Sequence, residues 1–257
     1  MQWLLMIAVL PSIVLGWIIW KNDKVEKEPG GLLAGLFFCG IGSIIVTLIL
    51  SIFVYMLPMC NPEEGTTLFE LFFGVFIGIA LVEEFSKWIF VRLVTWKNKA
   101  FTHIYDAVVY AVFVSLGFAT LENILYVIDG GVSLAIMRAI LSVPMHVFCG
   151  VFMGYYYGLA KQSEINNNKG LVKKNLILSV LIPTLTHGFY DFCLFTQNMY
   201  FFILFLIFVV CIYVIAFNKI NKLSKIQVPL RPVKPAFCSK CGTPAVGNYC
   251  AHCGNKL

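Results

Sequence analysis

Seven long apolar stretches constrain this chain more than any other feature of its sequence. They lie near residues 2–20, 31–57, 68–94, 104–128, 132–160, 175–196 and 200–217. An α-helix rises 1.5 Å per residue, so about 20 residues cross the hydrocarbon core of a bilayer. Each stretch is close to that length or longer. The sequence therefore predicts an all-α polytopic membrane protein with about seven transmembrane helices.

The composition agrees with this class and excludes several others. Apolar residues make up 60% of the 257 residues and charged residues make up 12%, whereas soluble domains average about 45–50% and about 25%. A soluble fold of this length has too small an interior to bury so many apolar side chains. The same numbers exclude a disordered chain, a secreted domain framed by disulfides, and a nucleic-acid-binding protein. The lipid bilayer is the expected environment, and no nucleic-acid partner is expected.

The positions of the basic residues predict how the chain is oriented in the membrane. Three of the 19 Lys and Arg residues, Lys87, Arg92 and Arg138, lie within the predicted spans. The other sixteen lie in alternate connections and in the C-terminal tail, all on one side of the predicted membrane. Cytoplasmic loops carry an excess of Lys and Arg. We therefore expect the N-terminus outside and the tail in the cytoplasm.

Four cysteines of the tail have the spacing of a zinc ribbon. They form the motifs Cys238-x-x-Cys241-Gly242 and Cys250-x-x-Cys253-Gly254, and each pair can direct two thiolates at one tetrahedral Zn²⁺. A reducing cytoplasm disfavours disulfides, which leaves a redox or vestigial motif as the alternative. Four thiolates close the coordination sphere of the ion. The predicted zinc is therefore structural rather than catalytic.

The tail also predicts how the chain divides into domains. Residues 1–217 form the expected membrane domain, residues 218–236 an extended basic linker that contains three prolines, and residues 237–257 the zinc ribbon. A segment of about 20 residues cannot build its own hydrophobic core, so the metal would supply its folding free energy. Such a ribbon is a possible docking site for a protein partner.

Ionisable side chains inside the predicted spans are the strongest functional signal. Each charge at the bilayer centre costs at least about 2.5–3.5 kcal/mol, so such residues are functional candidates. The second and seventh spans carry no charged residue. The candidates lie in the third to sixth spans: Glu83, Glu84, Lys87, Glu122, Asn123, Arg138, His146, His187 and Asp191.

Helical spacing predicts which of these side chains are neighbours. Residues three or four apart lie on one face of a helix, so Lys87 should reach both glutamates of the third span, and Asp191 should lie beside His187. Glu122 and Arg138 flank the Gly130–Gly131 turn almost symmetrically. They are expected to form an ion pair across the hairpin.

Depth in the membrane provides a second check on the set. Counted from the outer ends of the spans, Glu83 and His146 both lie roughly 21–23 Å deep. His187 lies near 14 Å by the same count, so it reaches Glu83 only through helix tilt, a kink at Pro183 or shifted span boundaries. Convergence of the four spans on one polar cavity is therefore a prediction that sequence alone leaves open.

A carboxylate and two imidazoles in a water-accessible cavity can activate water for amide hydrolysis. They can act by general base catalysis with imidazole stabilising the oxyanion, or by holding a divalent metal that acidifies the water. The sequence has no His-Glu-x-x-His motif, no Gly-x-Ser-x-Gly motif and no aspartyl-type Asp pair. The competing interpretation is structural: salt bridges and helix–helix hydrogen bonds can also explain charged and imidazole groups at depth.

Four motifs, in order and on successive spans, resemble those of the PrsW family. These are Glu83-Glu84-x-x-Lys87, Phe118-Ala119-x-x-Glu122-Asn123, His146-x-x-x-Gly150 and His187-x-x-x-Asp191. That family consists of bacterial intramembrane proteases, distantly similar to the type II CAAX prenyl endopeptidases and the bacteriocin-processing proteins. The resemblance covers residues 1–217 and leaves the zinc ribbon outside.

The resemblance implies a peptidase of the bacterial cytoplasmic (inner) membrane that cuts a membrane-anchored protein, in the best-known case an anti-sigma factor. It implies that Glu83 or Glu84 is the base and that His146 and His187 position water, stabilise the oxyanion or bind a catalytic metal. In the same way, Glu122 belongs to the catalytic set and Arg138 supports it. Asp191 would orient His187, Lys87 would set the charge state of the acids, and Asn123 would donate to the substrate carbonyl.

Two other classes of function also use buried ionisable groups. A proton-coupled transporter needs buried Glu, His and Asp, but it usually shows inverted repeats, and none is found in this sequence. A non-catalytic membrane scaffold that presents the zinc ribbon to a partner would tolerate loss of Glu83, Glu84 and His146.

Overall fold

A computed structural model describes residues 2–24, 26–60, 67–226, 228–230, 236–245, 252–253 and 255. The predicted class is confirmed, because these residues are mostly helical and the helices are apolar. Six helices within the described residues are long and apolar enough to cross a membrane. The protein is therefore a multi-pass membrane protein.

Eight α-helices in the described residues form the fold. They are α1 (Gln2–Asn22), α2 (Gly30–Val54), α3 (Leu68–Phe73), α4 (Val82–Thr95), α5 (Ile104–Ile140), α6 (Ser142–Ile165), α7 (Lys169–Phe195) and α8 (Met199–Ile226). A short 3₁₀ turn, Pro58–Cys60, follows α2. The six long helices correspond to six of the seven predicted spans.

The predicted third span is built differently from the others. It consists of α3, the π-helix Gly74–Leu81 and α4 in direct succession. π-Helical segments are rare and are frequently found at functional sites. One side of this π-helix lies so close to the preceding turn that a Cβ on Gly78 would come within 2.1 Å of the Cys60 carbonyl oxygen. The π-helix ends at Leu81, two residues before Glu83.

The predicted turn between the fourth and fifth spans lies within α5. Gly131 has a φ of 71° and a ψ of −165°, a backbone conformation that favours glycine. The chain reverses direction at Gly131, and the reversal brings Arg138 into contact with Glu122 and Asn123. A second break at Leu141 separates α5 from α6. It lies three residues before Pro144, whose ring removes a hydrogen bond to the carbonyl four residues earlier and kinks a helix.

Helix α5 lies at the centre of the fold, with α1, α2 and α6 packed around it. Its N-terminal half is almost completely buried, including the side chains of Tyr105 and Tyr110. Small residues allow α2 to approach closely, as is common where membrane helices pack. A Cβ on Gly40 would lie 2.0 Å from the Val114 carbonyl oxygen, and a Cβ on Gly117 would lie 1.9 Å from that of Phe37.

The C-terminal helix is longer than the sequence pattern suggested. Helix α8 continues past Phe217 to Ile226, because the residues beyond Phe217 include three lysines, which favour helix, and no proline occurs before Pro229. The chain then pairs with the loop before α5: Leu230 N donates to the Thr102 carbonyl at 2.8 Å, and Ile104 N donates to the Val228 carbonyl at 3.0 Å.

Candidate functional site

The two glutamates of α4 differ in exposure although they are adjacent. Glu84 is fully buried, and its Oε1 accepts a hydrogen bond from Lys87 Nζ at 2.8 Å. The side chain of Glu83 is 13% exposed, and its Oε2 lies 3.5 Å from the same ammonium. Lys87 is also fully buried. The helical spacing therefore gives the predicted pairing, with Glu84 held tightly and Glu83 held loosely.

His187 joins this pair from α7. Its Nδ1 lies 3.0 Å from Glu84 Oε1 and 3.9 Å from Glu83 Oε2, and its Nε2 lies 3.1 Å from Asp191 Oδ2. The depth count had left His187 too shallow to meet the glutamates. That count treated the third span as regular α-helix, whereas a π-helix places more residues in each turn. The depth count left this contact open, and the structure shows it.

His146 on α6 links the glutamate pair to α5. Its Nδ1 lies 3.2 Å from Lys87 Nζ, and its Nε2 lies 2.9 Å from Glu122 Oε2. Arg138 Nη2 lies 2.9 Å from the same Glu122 oxygen, which is the ion pair expected across the hairpin. Glu122 is therefore shared by the imidazole and the guanidinium.

Asn123 has a different partner from the one that the resemblance implied. Its Nδ2 donates to the Ala8 carbonyl of α1 at 2.9 Å, and its Oδ1 accepts from Arg138 Nε at 3.0 Å. The side chain is fully buried. In this structure the Asn123 side chain links Arg138 to α1.

Phe118 is a site residue to which the sequence reasoning gave no role. The Lys87 ammonium lies 4.0 Å from the centre of the Phe118 ring, within the range of a cation–π contact. The same ring lies 5.8 Å from the imidazole of His146. The available signal was its position four residues before Glu122, which places both on one face of α5.

The structure thus brings together six of the predicted site residues from α4, α5, α6 and α7. They are Glu83, Glu84, Glu122, His146, His187 and Asp191, with Lys87 in contact with three of them and Arg138 in contact with Glu122. The rings of His146 and His187 lie 5.2 Å apart and are almost perpendicular. We refer to these eight residues as the carboxylate–histidine cluster.

Four members of the cluster also form a donor set that fits a divalent metal. One ligand atom from each of Glu83, Glu84, His146 and His187 lies within 4.8 Å of the others. Each imidazole presents Nδ1 to this centre and Nε2 to a carboxylate, the arrangement by which proteins orient metal-binding histidines. Glu84 Oε2 is buried without a hydrogen-bond partner among the described residues. The cation that contacts this set in the structure is the Lys87 ammonium.

A second group of acids, Asp23, Glu28 and Asp106, lies outside the carboxylate–histidine cluster. These carboxylates are buried near the start of α5, and Tyr110 donates to Glu28 at 2.8 Å. Burial, followed by the charge of Asp106, raises the pKa of Glu28 to about 8. Little in the sequence indicates this group, because Asp23 and Glu28 belong to a charged loop whose acids would ordinarily face water.

Three of the four predicted zinc ligands fall within the described residues. Ligand atoms of Cys238, Cys241 and Cys253 lie within 4.8 Å of one another, and the sulfurs of Cys238 and Cys253 are 3.5 Å apart. Gly242 has a φ of 68°, which permits the tight turn of the knuckle. A hydrogen bond from Thr243 lowers the pKa of Cys241 to about 6, and this favours the thiolate form. Cys250 lies outside the described residues.

The strands near these cysteines enclose the first knuckle. Strand β1 (Ala236–Phe237) pairs antiparallel with β2 (Pro244–Ala245). Cys238 N donates to the Thr243 carbonyl at 3.0 Å, and Gly242 N donates to the Cys238 carbonyl at 2.8 Å. The hairpin predicted between the two knuckles spans residues 242–249, of which the structure describes residues 242–245.

Comparison with known proteins gives one consistent family. Residues 28–217 match the family described as PrsW family intramembrane metalloprotease. Protease PrsW of Oceanobacillus iheyensis and Protease PrsW of Bacillus subtilis are each 37% identical over 187 residues, which cover 73% of this chain and 80% of the relative. Protease PrsW of Clostridioides difficile is 33% identical over 205 residues, 78% of this chain and 83% of the relative. No solved structure matches the chain.

Proposed function

This chain belongs to the PrsW family of intramembrane metalloproteases, and from that premise we propose that it hydrolyses a peptide bond in a membrane-anchored protein at the carboxylate–histidine cluster. One observation supports this assignment above the others. His187 of α7 lies 3.0 Å from Glu84 of α4, and His146 of α6 lies 3.2 Å from Lys87. Carboxylates and imidazoles from separate membrane helices therefore meet at one point, as water activation requires.

Glu83 is the proposed general base. A general base must reach water, and the Glu83 side chain is partly exposed, whereas that of Glu84 is fully buried. Glu84 Oε1 also accepts hydrogen bonds from Lys87 Nζ at 2.8 Å and from His187 Nδ1 at 3.0 Å. Strong hydrogen bonds to a carboxylate make it a weaker base. In this assignment Glu84 fixes Lys87 and His187, and Glu83 takes the proton from water.

The remaining groups account for the rest of the hydrolysis. Water adds its oxygen to the carbonyl carbon while its proton moves to Glu83, and the positive charge of the Lys87 ammonium, 3.5 Å from Glu83, favours the negative charge that develops on the carbonyl oxygen. His146 holds Lys87 in position at 3.2 Å, and His187 holds Glu84 at 3.0 Å. The bond from carbon to nitrogen then breaks, and Glu83 returns the proton to the leaving amine. Asp191 orients His187, and Glu122 with Arg138 orients His146.

A divalent metal is compatible with the same residues. Glu83, Glu84, His146 and His187 would hold it, and when bound it would supply Lewis acidity and a more acidic water. Asp191 and Glu122 would then fix the imidazoles through Nε2, so their positioning roles are the same with or without the ion.

The proposed substrate is an anti-sigma-factor-like protein with a membrane anchor, and the proposed location is the bacterial cytoplasmic membrane. The one-sided distribution of the basic residues supports an outside N-terminus and a cytoplasmic tail. Apolar helices surround the carboxylate–histidine cluster, so a substrate would reach it from within the bilayer.

His187→Gln should reduce cleavage of such a substrate by about 10²-fold, because the variant loses the imidazole that joins Glu84 to Asp191 and holds the geometry of the carboxylate–histidine cluster. The assay uses purified full-length protein in liposomes with a single-span test protein tagged at both ends, and mass spectrometry locates the cut. His103→Gln is the matched control, since His103 precedes α5 and lies outside the carboxylate–histidine cluster. Full cleavage by the His187 variant would contradict the assignment.

We further propose that residues 237–257 form a zinc ribbon that serves as a separate docking domain after the membrane domain. The spacing of its four cysteines and the clustering of Cys238, Cys241 and Cys253 support this proposal. The family match ends at residue 217, so the ribbon is an addition to the catalytic region. Its partner would be a cytoplasmic protein.

Replacement of both Cys238 and Cys241 by Ser should remove about one zinc ion per chain, because two thiolates cannot complete a tetrahedral structural site. The measurement is the metal content of detergent-purified protein by plasma mass spectrometry. Cys211→Ser is the control, since Cys211 is exposed on α8. An unchanged zinc content in the double variant would refute the ribbon, and metal that remains in it and disappears with Glu84→Gln would indicate a second ion at the carboxylate–histidine cluster.

A further inference from the structure

A long groove lies on the outer surface of the helix bundle, between α4 and the N-terminal half of α7. Its volume is about 830 Å³. Phe85 and Trp88 of α4 form one wall, and Leu176, Val180 and Leu181 of α7 form the other. These side chains are apolar, and the groove is separate from the carboxylate–histidine cluster, whose members are absent from its lining.

Two contacts hold the α4 wall of this groove in place. Trp88 Nε1 donates to Ser179 Oγ at 2.9 Å, which ties α4 to α7. The rings of Phe85 and Trp88 are stacked, with centres 5.8 Å apart and planes 13° apart. An occupant would therefore meet a preformed surface rather than one that must reorganise.

One end of the groove is basic. Lys169 and Lys173 lie there with exposed side chains, and within the described ranges neither ammonium lies within 4.0 Å of a carboxylate. The acid at this end, Glu164, accepts hydrogen bonds from Lys161 at 2.6 Å and from Trp96 at 2.9 Å. The charge of Glu164 is therefore compensated by Lys161, and two positive charges remain at the mouth.

The length of the groove matches one leaflet of a bilayer. From Lys169 to Leu181 a helix rises about 18 Å at 1.5 Å per residue, and half of a hydrocarbon core is about 15 Å. The lysines therefore lie at the level of the lipid headgroups when the apolar walls lie at the level of the acyl chains.

We propose that this groove binds an anionic phospholipid, with an acyl chain along Phe85, Trp88 and Val180 and the headgroup phosphate between Lys169 and Lys173. The basic end matches the anionic headgroup, and basic pockets at the cytoplasmic side of membrane helices are a recognised form of lipid recognition. A zwitterionic lipid would bring its own positive charge to the same lysines and bind less tightly.

The charge of the groove argues against a substrate helix as the occupant. Membrane helices carry basic residues at their cytoplasmic ends, and the distribution of Lys and Arg places Lys169 and Lys173 at the cytoplasmic end of this chain. The basic flank of a substrate helix would therefore lie beside the two uncompensated ammonium groups of Lys169 and Lys173. Like charges repel, so this arrangement is unfavourable.

The test compares lipid binding by four forms of the full-length protein in detergent micelles, by native mass spectrometry with added phosphatidylglycerol or phosphatidylcholine. The forms are wild type, Lys169→Gln with Lys173→Gln, Lys222→Gln with Lys225→Gln as the charge-matched control on α8, and Val180→Trp to fill the groove. We expect the wild type and the control to retain phosphatidylglycerol in preference to phosphatidylcholine. Each lysine near a headgroup contributes about 1 kcal/mol, so the first variant should bind about 30-fold more weakly.

Two further outcomes decide between related explanations. Val180→Trp should weaken phosphatidylglycerol binding although both lysines remain, provided that its melting temperature equals that of the wild type. Inorganic phosphate or glycerophosphoglycerol at millimolar concentration should not displace the lipid, and displacement would show a headgroup site without an acyl groove. Equal binding of the two lipids, or an equal loss in the control variant, would overturn the proposal.

Discussion

Glu83→Gln should reduce the rate of substrate cleavage by about 10²–10⁴-fold, the usual contribution of a general base. The substitution keeps the shape of the side chain but removes the oxygen that accepts a proton from water. Because Glu83 is partly exposed and lies 3.5 Å from Lys87, its charge contributes less to the fold than that of Glu84. The measurement is the initial rate of cleavage of the tagged single-span protein in liposomes.

Glu70→Gln is the control for this substitution. Glu70 belongs to the capping box at the start of α3, a position that accepts Gln as well as Glu. Both variants should show the same unfolding midpoint as the wild type. If Glu83→Gln retains the wild-type rate while Glu84→Gln, correctly folded, loses it, the base is Glu84 and the assignment drawn from exposure is wrong.

Lys87→Met should destabilise the protein by about 3–5 kcal/mol, the usual cost of leaving a buried ion without its partner. Lys87 is fully buried, and its ammonium contacts Glu84 at 2.8 Å, His146 at 3.2 Å and the face of Phe118 at 4.0 Å. Without it, the Glu84 carboxylate would retain His187 as its one hydrogen-bond donor among the described residues. The measurement is the unfolding midpoint in mixed micelles titrated with sodium dodecyl sulfate.

A second substitution tests whether charge, rather than packing, is the cause. Lys87→Met combined with Glu84→Gln removes both buried charges, so we expect it to recover at least half of the lost free energy of unfolding. Lys97→Met, at an exposed position in the loop after α4, should change the midpoint little. A double variant as unstable as the sum of its single variants would contradict the proposed pairing.

These two predictions assign different roles to adjacent glutamates. Glu84, Lys87 and His187 form the buried part of the carboxylate–histidine cluster, and they hold the geometry in place at a cost in desolvation. Glu83 lies at the accessible edge of the same cluster. Sequence adjacency alone gives no basis for this division, because two consecutive helical residues point in directions about 100° apart, and only the packing of α6 and α7 determines which of them is covered.

Much of the local geometry followed from the sequence. The apolar stretches gave the polytopic helical class, and helical spacing gave the contacts of Lys87 with both glutamates and of His187 with Asp191. The symmetric placement of Glu122 and Arg138 around the glycine turn gave their ion pair. The order of the four motifs indicated the protease family, to which the chain belongs.

Three features of the site could not be read from the sequence. The π-helix before Glu83 has the apolar composition of the neighbouring helices, so the pattern gave no reason to expect it. The amide of Asn123 joins Arg138 to the Ala8 carbonyl of α1, a contact between segments more than 100 residues apart. The groove beside α7 depends on the separation of two helices that are more than 70 residues apart in the chain.

The sequence by itself determined the elements and their internal contacts, because hydrophobic length and helical period are properties of neighbouring residues. Only the tertiary structure decided that His146 and His187 meet Glu84 and Lys87, and that Glu83 keeps a partly exposed side chain. Those outcomes depend on helix depth, tilt and close packing between segments distant in sequence. A local change in helix geometry, such as the π-helix Gly74–Leu81, alters them without changing the pattern of apolar and polar residues.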